Sequence, residues 1–268
     1  KVMRDIGLVD FPEPFQNLFT QGMVQLHGQT MSKSKGNIVD PDEMVEKYGA
    51  DTCRLFVLFA APPEKNMDWN ESGVEGQYRF LSRVYRFVTR NLARAVWDGP
   101  AAAQSEADRK ALRKIHQTVR KVTEDFENRW HFNTSIAAIM ELMNELTARE
   151  AEMSPRVAAE AVEKVVLLLG PFAPCIAEEM WQEMGRTGPV FRQAWPAYDP
   201  ELAREDEAEV VLQVNGKVRS RMFVPFGTAQ EDLERRALAD EKVRGFTDGK
   251  RVVKVIAVPD RLVNVVVR

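Results

Sequence analysis

The chain has 268 residues, 44% of them hydrophobic, which is enough for one large domain or for two to three small ones with packed cores. No run of roughly 18 or more apolar residues occurs, and the N-terminus lacks the apolar block of a signal peptide, so we predict a cytoplasmic protein with no membrane partner. Two distant cysteines and three scattered histidines exclude a disulfide framework and a zinc site of the usual spacing.

The net charge of −3 hides an uneven distribution. Residues 78–121 carry eleven Lys or Arg against three acids, whereas residues 122–208 carry seventeen acids against seven Lys or Arg. A basic stretch beside an acidic one favours a polyanionic partner that meets only one face of the protein.

The first motif in chain order is the loop Gly28–Asn37, with the sequence GQTMSKSKGN. It offers backbone amides, two hydroxyls and two lysines just before a predicted helix, a combination that suits an anion. It is not a Walker A loop, because Lys33 stands where the pattern counted from Gly28 requires glycine. Taken alone, such a Ser-Lys run is more often a solvated loop, so the choice between a solvated and an anion-binding loop depends on the surrounding residues.

Two helices are predicted after this loop. Asp40 is a capping residue, Pro41 suits the first helical position, and Gly49 ends the helix. Residues 51–60 form a second, mostly buried helix, which the two prolines at 62 and 63 end.

A long amphipathic helix is predicted from Asn70 to about Trp97. Five arginines share one of its faces, spaced by four, three, four and four residues: Arg79, Arg83, Arg86, Arg90 and Arg94. They have two interpretations, a solvated helix face or a row of phosphate contacts.

After a linker at 99–106, apolar residues recur every three or four positions to about residue 184, which predicts the helices of a bundle. A second linker, residues 195–208, is rich in proline and charge and marks a domain boundary. Beyond it, Asn215-Gly216 predicts a tight hairpin within a small ββαββ unit. Lys217, Arg219 and Arg221 are expected to alternate on one face of the second hairpin strand.

Several of these runs together resemble a known family. The loop, with Pro41, Tyr48–Asp51 and Arg54 after it, resembles the second signature loop of class I aminoacyl-tRNA synthetases and the helices that follow it. Three further runs resemble the leucyl enzymes of the bacterial type: residues 67–81, 132–144 and 212–219. The resemblance covers nearly the whole chain from about Gly7, and the last run separates it from the isoleucyl, valyl and methionyl relatives.

The resemblance implies a multidomain fold, part α/β and part all-α. Residues 1–75 would form the C-terminal end of a Rossmann-type catalytic domain, with the ATP loop and stem-contact helices. Residues 76–196 would be an antiparallel helical bundle that binds tRNA, and residues 207–268 a ββαββ tRNA-binding domain.

The resemblance also implies a reaction. ATP, with Mg²⁺ expected, and leucine form leucyl-adenylate, and the leucyl group then moves to tRNA(Leu). Lys33 is the expected catalytic residue, since it matches the second lysine of the motif, and the expected ATP contacts are Thr30, Met31, Ser32, Lys33, Ser34 and Lys35. Thr30 departs from the family pattern, which usually has a lysine there.

The tRNA contacts implied are the five arginines of the long helix together with Lys217, Arg219 and Arg221. The family's His-x-Gly-His motif is absent and no editing domain fits, so we expect these parts on missing sequence or on a separate subunit, and we expect this chain alone to be inactive. We expect no metal site within it.

Three alternatives stay open. The chain could derive from an isoleucyl-, valyl- or methionyl-type synthetase, from a non-catalytic tRNA-binding subunit related to synthetases, or from a generic RNA-binding bundle. The intact loop disfavours the second of these, because a pure binding module has no need of it.

Overall fold

The computed structural model describes residues 1–15, 17–95, 105–128, 130–204 and 207–268, which form two compact units, Lys1–Ala203 and Arg204–Arg268. Each unit has its own hydrophobic core. Across these ranges, no helix is both long enough and apolar enough to cross a membrane.

The first unit begins with a short helix, a small sheet and a helix pair. Their bounds are α1 (Val2–Asp5), β1 (Val24–Leu26), β2 (Gln29–Thr30), α2 (Pro41–Tyr48), α3 (Ala50–Ala60) and β3 (Met67–Asp68). The sheet order is β2-β1-β3, with β1 antiparallel to β2 and parallel to β3. The loop Gly28–Asn37 therefore contains the edge strand β2 and ends shortly before α2.

The predicted start of α2 is confirmed. The Asp40 carboxylate accepts a hydrogen bond from the Asp42 amide at 2.9 Å, and Pro41 occupies the first helical position. A capping carboxylate satisfies an amide that the helix itself cannot, which sets the helix start at this residue. The second predicted helix is also confirmed, as α3.

Six α-helices complete the described part of the first unit. They are α4 (Glu71–Arg90), α5 (Leu92–Ala95), α6 (Glu106–Asn128), α7 (Phe132–Arg149), α8 (Pro155–Leu169) and α9 (Pro174–Glu183). Their core contains fully buried side chains from each long helix, among them Phe87, Ile115, Met143, Leu168 and Met180. Each such side chain contributes roughly 1.5–3 kcal/mol of burial free energy, so the apolar stripes form a helical core, as predicted.

The long predicted helix is interrupted. It ends at Arg90, and α5 resumes at Leu92. Between them, the buried Asn91 side chain donates to the Phe87 carbonyl and to Glu150 Oε1, both at 2.8 Å. Asn91 and Glu150 lie 59 residues apart in sequence, so the apolar pattern of the helix could not predict this interruption. The predicted end at Trp97, and most of the 99–106 linker, lie outside the described residues.

Most of the second predicted linker lies on the bundle. The indole of Trp195 donates to Thr123 Oγ1 at 2.8 Å, and the Gln117 side chain donates to the Ala203 carbonyl at 3.1 Å. Between these two points the Asp199 amide donates to His116 Nδ1 at 2.8 Å. Residues 195–203 therefore belong to the first unit, and the division between the units falls at Ala203 and Arg204.

His116 is buried against a charged pair on α8. His116 Nδ1 accepts from the Asp199 amide, which leaves Nε2 to donate a hydrogen bond to Glu160 Oε1, 3.1 Å away. Lys164 Nζ lies 2.7 Å from the same oxygen. The hydrogen bond from His116, opposed in part by burial, and the one from Lys164 lower the pKa of Glu160 from 4.5 to about 2.

We predict an acid-sensitive contribution to stability from Glu160. Its pKa is depressed in the folded chain, so the stabilisation is complete above pH 4.5 and is lost as the pH falls from there towards 2. Glu160→Gln is expected to lower the urea-unfolding free energy by about 2 kcal/mol at pH 7, a figure discounted for partial exposure, and by almost nothing near pH 2. Glu163→Gln on the same helix is the control, since Glu163 forms an exposed ion pair with Arg186. A difference between wild type and Glu160→Gln that stays constant with pH would contradict this assignment.

The described residues of the second unit form a four-stranded sheet with two helices. Its elements are β4 (Glu207–Val214), β5 (Lys217–Pro225), α10 (Gln230–Ala239), α11 (Glu241–Thr247), β6 (Val252–Val258) and β7 (Leu262–Val267). The sheet order is β5-β4-β7-β6, and β4 runs parallel to β7. We predicted a single helix between the hairpins; the structure adds α11, which begins where Asp240 accepts from the Val243 amide.

The predicted hairpin turn is confirmed. Asn215 and Gly216 both have positive φ, 49° and 76°, as a two-residue turn of this kind requires. The Asn215 side chain also accepts from the Val267 amide at 2.9 Å and donates to the Val267 carbonyl at 3.1 Å. The turn is thereby fixed to the end of β7 as well as to its own strands.

Candidate functional site

The candidate loop stands on the β1–β2 hairpin. The hairpin turns at His27 and Gly28, both at positive φ, and the Gly28 amide donates to Asp68 Oδ1 at 2.9 Å. Asp68 lies in β3, which pairs with β1 opposite Gln25. A side chain 40 residues away in sequence therefore braces the hairpin that carries the loop.

The side chain of Asn37 closes the loop. Its carbonyl oxygen accepts from the Ser32 amide at 2.9 Å, and its amide nitrogen donates to the Thr30 carbonyl at 3.3 Å. Gly36, just before it, has a φ of 64°, a left-handed conformation that glycine adopts without strain. The Asn37 side chain thus joins the end of the loop to Thr30 and Ser32 at its start.

Some polar groups of the loop form hydrogen bonds with one another. Ser32 Oγ accepts from the Lys35 amide at 3.3 Å and lies 3.0 Å from Ser34 Oγ. Residues Lys33–Lys35 form a single 3-10 turn, and both lysines are exposed. The serines therefore shape the turn, while two ammonium groups face solvent within one turn of each other. Such a surface binds an oxyanion by charge and hydrogen bonding.

An apolar cavity of about 530 Å³ lies behind the loop. Its walls include Met31, Val39, Met44, Val57 and Trp69, so they come from the loop, α2, α3 and the segment after β3. Met31 is half-buried among these apolar walls, whereas Lys33 and Lys35 of the same loop are exposed.

Two of the five predicted arginines are used inside the protein. Arg90 binds Glu150 with two hydrogen bonds, 3.1 and 2.7 Å long, and Arg94 donates to the Glu150 carbonyl at 3.0 Å. The hydrogen bond from Arg90 lowers the pKa of Glu150 below its ordinary value. These contacts hold the α4–α5 junction against the end of α7. The two arginines therefore have a structural role, whether or not they also contact tRNA.

The other three arginines lie nearer the start of α4. Arg79 forms an exposed ion pair with Glu75 at 2.8 Å, a type of contact worth little in water. Arg83 stacks over the Phe80 ring at 5.8 Å, and Arg86 is exposed. Arg79 and Arg86 can therefore turn towards a phosphate at small cost. Their role as tRNA contacts stays a prediction.

The basic hairpin strand does not present its arginines on one face, and this part of our expectation is wrong. The guanidinium of Arg219 lies 3.8 Å from the centre of the Phe246 ring, in α11. Arg221 pairs with Glu209 of β4 at 3.0 Å. The register between β4 and β5 shifts between Leu212 and Gln213, and this bulge breaks the alternation. Lys217 is exposed beside the turn.

Our sequence reasoning assigned no role to two residues that support the candidate loop, Asn37 and Asp68. Asn37 was the last residue of the motif, and its place directly after a glycine was the available signal, because asparagine often hydrogen-bonds nearby backbone. Asp68 had no such signal, since only the folded sheet brings it to Gly28.

Two family matches cover most of the candidate site, and the relatives named below cover the whole chain. Residues 5–70 match the family of class I tRNA synthetases (I, L, M and V), and residues 108–234 match the anticodon-binding domain of tRNA ligase. The leucine–tRNA ligase of Solibacter usitatus is 60% identical over 100% of this chain and 32% of its own length. That of Geotalea daltonii is 51% identical over 100% of this chain and 33% of its own.

Over its whole length, the chain matches the C-terminal portion of leucine–tRNA ligases.

It spans about a third of the length of the curated ligases it matches, in their C-terminal portion. Among solved structures, the ligase of Agrobacterium radiobacter K84, crystallised in a ternary complex with tRNA and LeuAMS, has a TM-score of 0.83 and 36% identity. That likeness covers 100% of this chain and 35% of the other. The loop lies in the synthetase match and the helices α6–α9 in the anticodon-binding match, whereas the five arginines of α4 and α5 lie between the two.

Proposed function

We propose that this chain supplies the ATP loop and the tRNA-binding parts of a leucine–tRNA ligase. ATP and leucine form leucyl-adenylate and pyrophosphate, and the leucyl group then passes to the terminal ribose of tRNA(Leu). The observation that carries the proposal is the loop itself. Asn37 and the two serines hold it in one turn, and Lys33 and Lys35 are exposed on that turn.

The proposed chemistry of Lys33 is electrostatic. As the bond between the α and β phosphates breaks, negative charge moves onto the departing pyrophosphate. A lysine placed there by the loop stabilises this transition state more than it stabilises bound ATP, which raises the rate rather than the affinity alone. Met31, Ser32 and Ser34 shape the turn, and Lys35 offers a second charge.

Thr30 is a proposed contact of a weaker kind. Its hydroxyl can donate to a phosphate oxygen but brings no charge, whereas Lys35 can supply the charge that the family's lysine would have brought. The Thr30 carbonyl already accepts from Asn37, so the backbone at this position is held whatever its side chain does.

Mg²⁺ is implied by the family, but the loop does not fit it. Its side chains supply ammonium groups and hydroxyls, whereas Mg²⁺ prefers carboxylate and phosphate oxygens. Asp68, the carboxylate that braces the hairpin, already accepts from the Gly28 amide. The proposed role of the loop therefore depends on its own lysines and hydroxyls and not on a bound Mg²⁺.

The remaining two-thirds of the relatives' length would hold the rest of the catalytic domain and the editing domain, on the same chain or on a separate subunit. The alternatives are less favoured: the relatives named above are leucine ligases, not isoleucyl, valyl or methionyl enzymes. A non-catalytic RNA-binding module has no use for an ATP loop that Asp68 and Asn37 hold in place.

We predict that the chain by itself binds tRNA in a salt-sensitive manner. Each phosphate neutralised by a lysine or arginine releases counterions, so the affinity should fall steeply between about 50 and 200 mM salt. The measurement is tRNA(Leu) binding by fluorescence anisotropy, with the double variant Arg79→Gln and Arg86→Gln beside wild type. That variant is expected to flatten the slope, and an unchanged slope would remove α4 from the RNA interface.

A hybrid ligase tests the whole proposal. In it, this chain replaces the matching C-terminal portion of the Solibacter usitatus enzyme. We expect leucine-dependent ATP–pyrophosphate exchange and charging of tRNA(Leu) by the hybrid, and neither by this chain alone. A hybrid without exchange would argue against the proposed function.

A further inference from the structure

The helix α3 lies between the part of the first unit that carries the loop and the helical bundle. Two adjacent residues of α3 are buried in different hydrophobic clusters. Leu55 belongs to the bundle core, together with Phe87 and Ile139, whereas Phe56 packs with Met67 and with other residues beside the small sheet. A helix held on both sides transmits a displacement of one side to the other, because packed interiors are not compressible.

A buried carboxylate joins α3 to the bundle. Asp51, in the first turn of α3, is 7% exposed, and its Oδ2 accepts from the Ile176 amide at 2.6 Å. Ile176 lies in the first turn of α9, a helix whose own capping position, Ala173, offers no side-chain hydrogen bond. Asp51 therefore caps a helix 125 residues away in sequence, and its negative charge also suits the positive end of that helix.

A second contact from α3 reaches the same turn. Arg54, one helical turn after Asp51, donates to the Pro171 carbonyl at 3.4 Å. Asp51 thus holds the first turn of α9, and Arg54 holds the connection between α8 and α9. On the other side, α3 follows α2 after Gly49 alone, and α2 begins four residues after Asn37. The Asp51 and Arg54 contacts form a joint between α3 and the start of α9. The chain that leads from the ATP loop to this joint is short and mostly helical.

We propose that Asp51 is a positioning residue for the transfer of leucine to tRNA. This inference rests on the proposed function. A tRNA seated on the bundle presents its end to the loop side of the enzyme only if the two sides keep a fixed geometry. Asp51 maintains that geometry through α9. Leucyl-adenylate formation needs no tRNA, so it does not depend on the joint.

The test compares the two half-reactions in the hybrid ligase. With Asp51→Ala, pyrophosphate exchange should stay within about twofold of wild type, and single-turnover transfer from leucyl-adenylate to tRNA should slow roughly tenfold, since small misplacements of reacting groups are costly. Asp51→Asn should restore most of the transfer, because an amide oxygen still accepts from Ile176. Ser154→Ala is the matched control. The Ser154 hydroxyl caps α8 within the bundle by accepting from the Val157 amide, and the Ser154 amide donates to Asp108 of α6, so neither contact involves α3.

The outcomes separate the joint from the proposed function. Equal losses of exchange and transfer in Asp51→Ala, or transfer unchanged, would overturn the positioning role, as would an equally large transfer defect in Ser154→Ala. A wild-type hybrid that lacks exchange altogether would instead overturn the proposed function, and this role with it. Amide hydrogen exchange at Ile176 in this chain should be faster in Asp51→Ala than in Asp51→Asn; equal protection in both would show that the cap does not hold α9.

Discussion

Lys33→Ala in the hybrid ligase is expected to slow leucyl-adenylate formation by roughly 10²- to 10³-fold, corresponding to a barrier increase on the order of 3 to 4 kcal/mol. The reason is that its contact with the pyrophosphate strengthens as charge develops there, so its loss falls on the transition state. Leucine affinity should change little, because the ammonium group has no role in binding the amino acid. The measurement is leucine-dependent exchange, with KM for leucine and for ATP determined separately.

Lys35→Ala is the control for this substitution. Lys35 carries the same charge in the same 3-10 turn and is also exposed, so loss of charge alone would affect both variants equally. A smaller loss for Lys35→Ala, expressed mainly in KM for ATP, would agree with the roles proposed here. A change in leucine affinity alone for Lys33→Ala would remove its catalytic role.

Deletion of residues 204–268 from the hybrid should spare leucyl-adenylate formation and depress the charging of tRNA(Leu) by more than tenfold. These residues form a compact unit with its own core, so their removal leaves the first unit's core complete. Activation requires no tRNA, whereas charging requires the tRNA to be held.

The triple variant Lys217→Gln, Arg219→Gln and Arg221→Gln should reproduce part of that loss, and more at low salt than at high salt. Because Arg219 stacks on Phe246 and Arg221 pairs with Glu209, the single change at Lys217 should show the least effect on folding. Equal losses of exchange and charging on deletion would mean that this unit stabilises the catalytic fold instead.

The elements that depend on neighbouring residues could be predicted from the sequence. Asp40 with Pro41 identified the start of α2, and Asn215 with Gly216 identified the hairpin, because caps and tight turns depend on a few adjacent residues. The motif likewise identified the candidate loop, since its hydroxyls and lysines are local.

The parts that depend on distant contacts could not be predicted. The break at Asn91 depends on Glu150, the hairpin brace on Asp68, and the course of residues 195–203 on side chains of α6. The bulge that separates Arg219 from Arg221 depends on how β4 and β5 pair, which strict alternation along one strand does not show. Each of these is a tertiary contact whose two ends lie apart in the sequence or on different strands.

The most direct measurement is exchange and tRNA charging by the hybrid ligase with leucine, isoleucine, valine and methionine as separate substrates. We expect exchange and charging with leucine, and loss of both when Lys33→Ala is introduced into this chain. A hybrid whose activity survives Lys33→Ala unchanged, or which activates another of the four amino acids in preference to leucine, would contradict the proposal that this chain carries the ATP loop of a leucine–tRNA ligase.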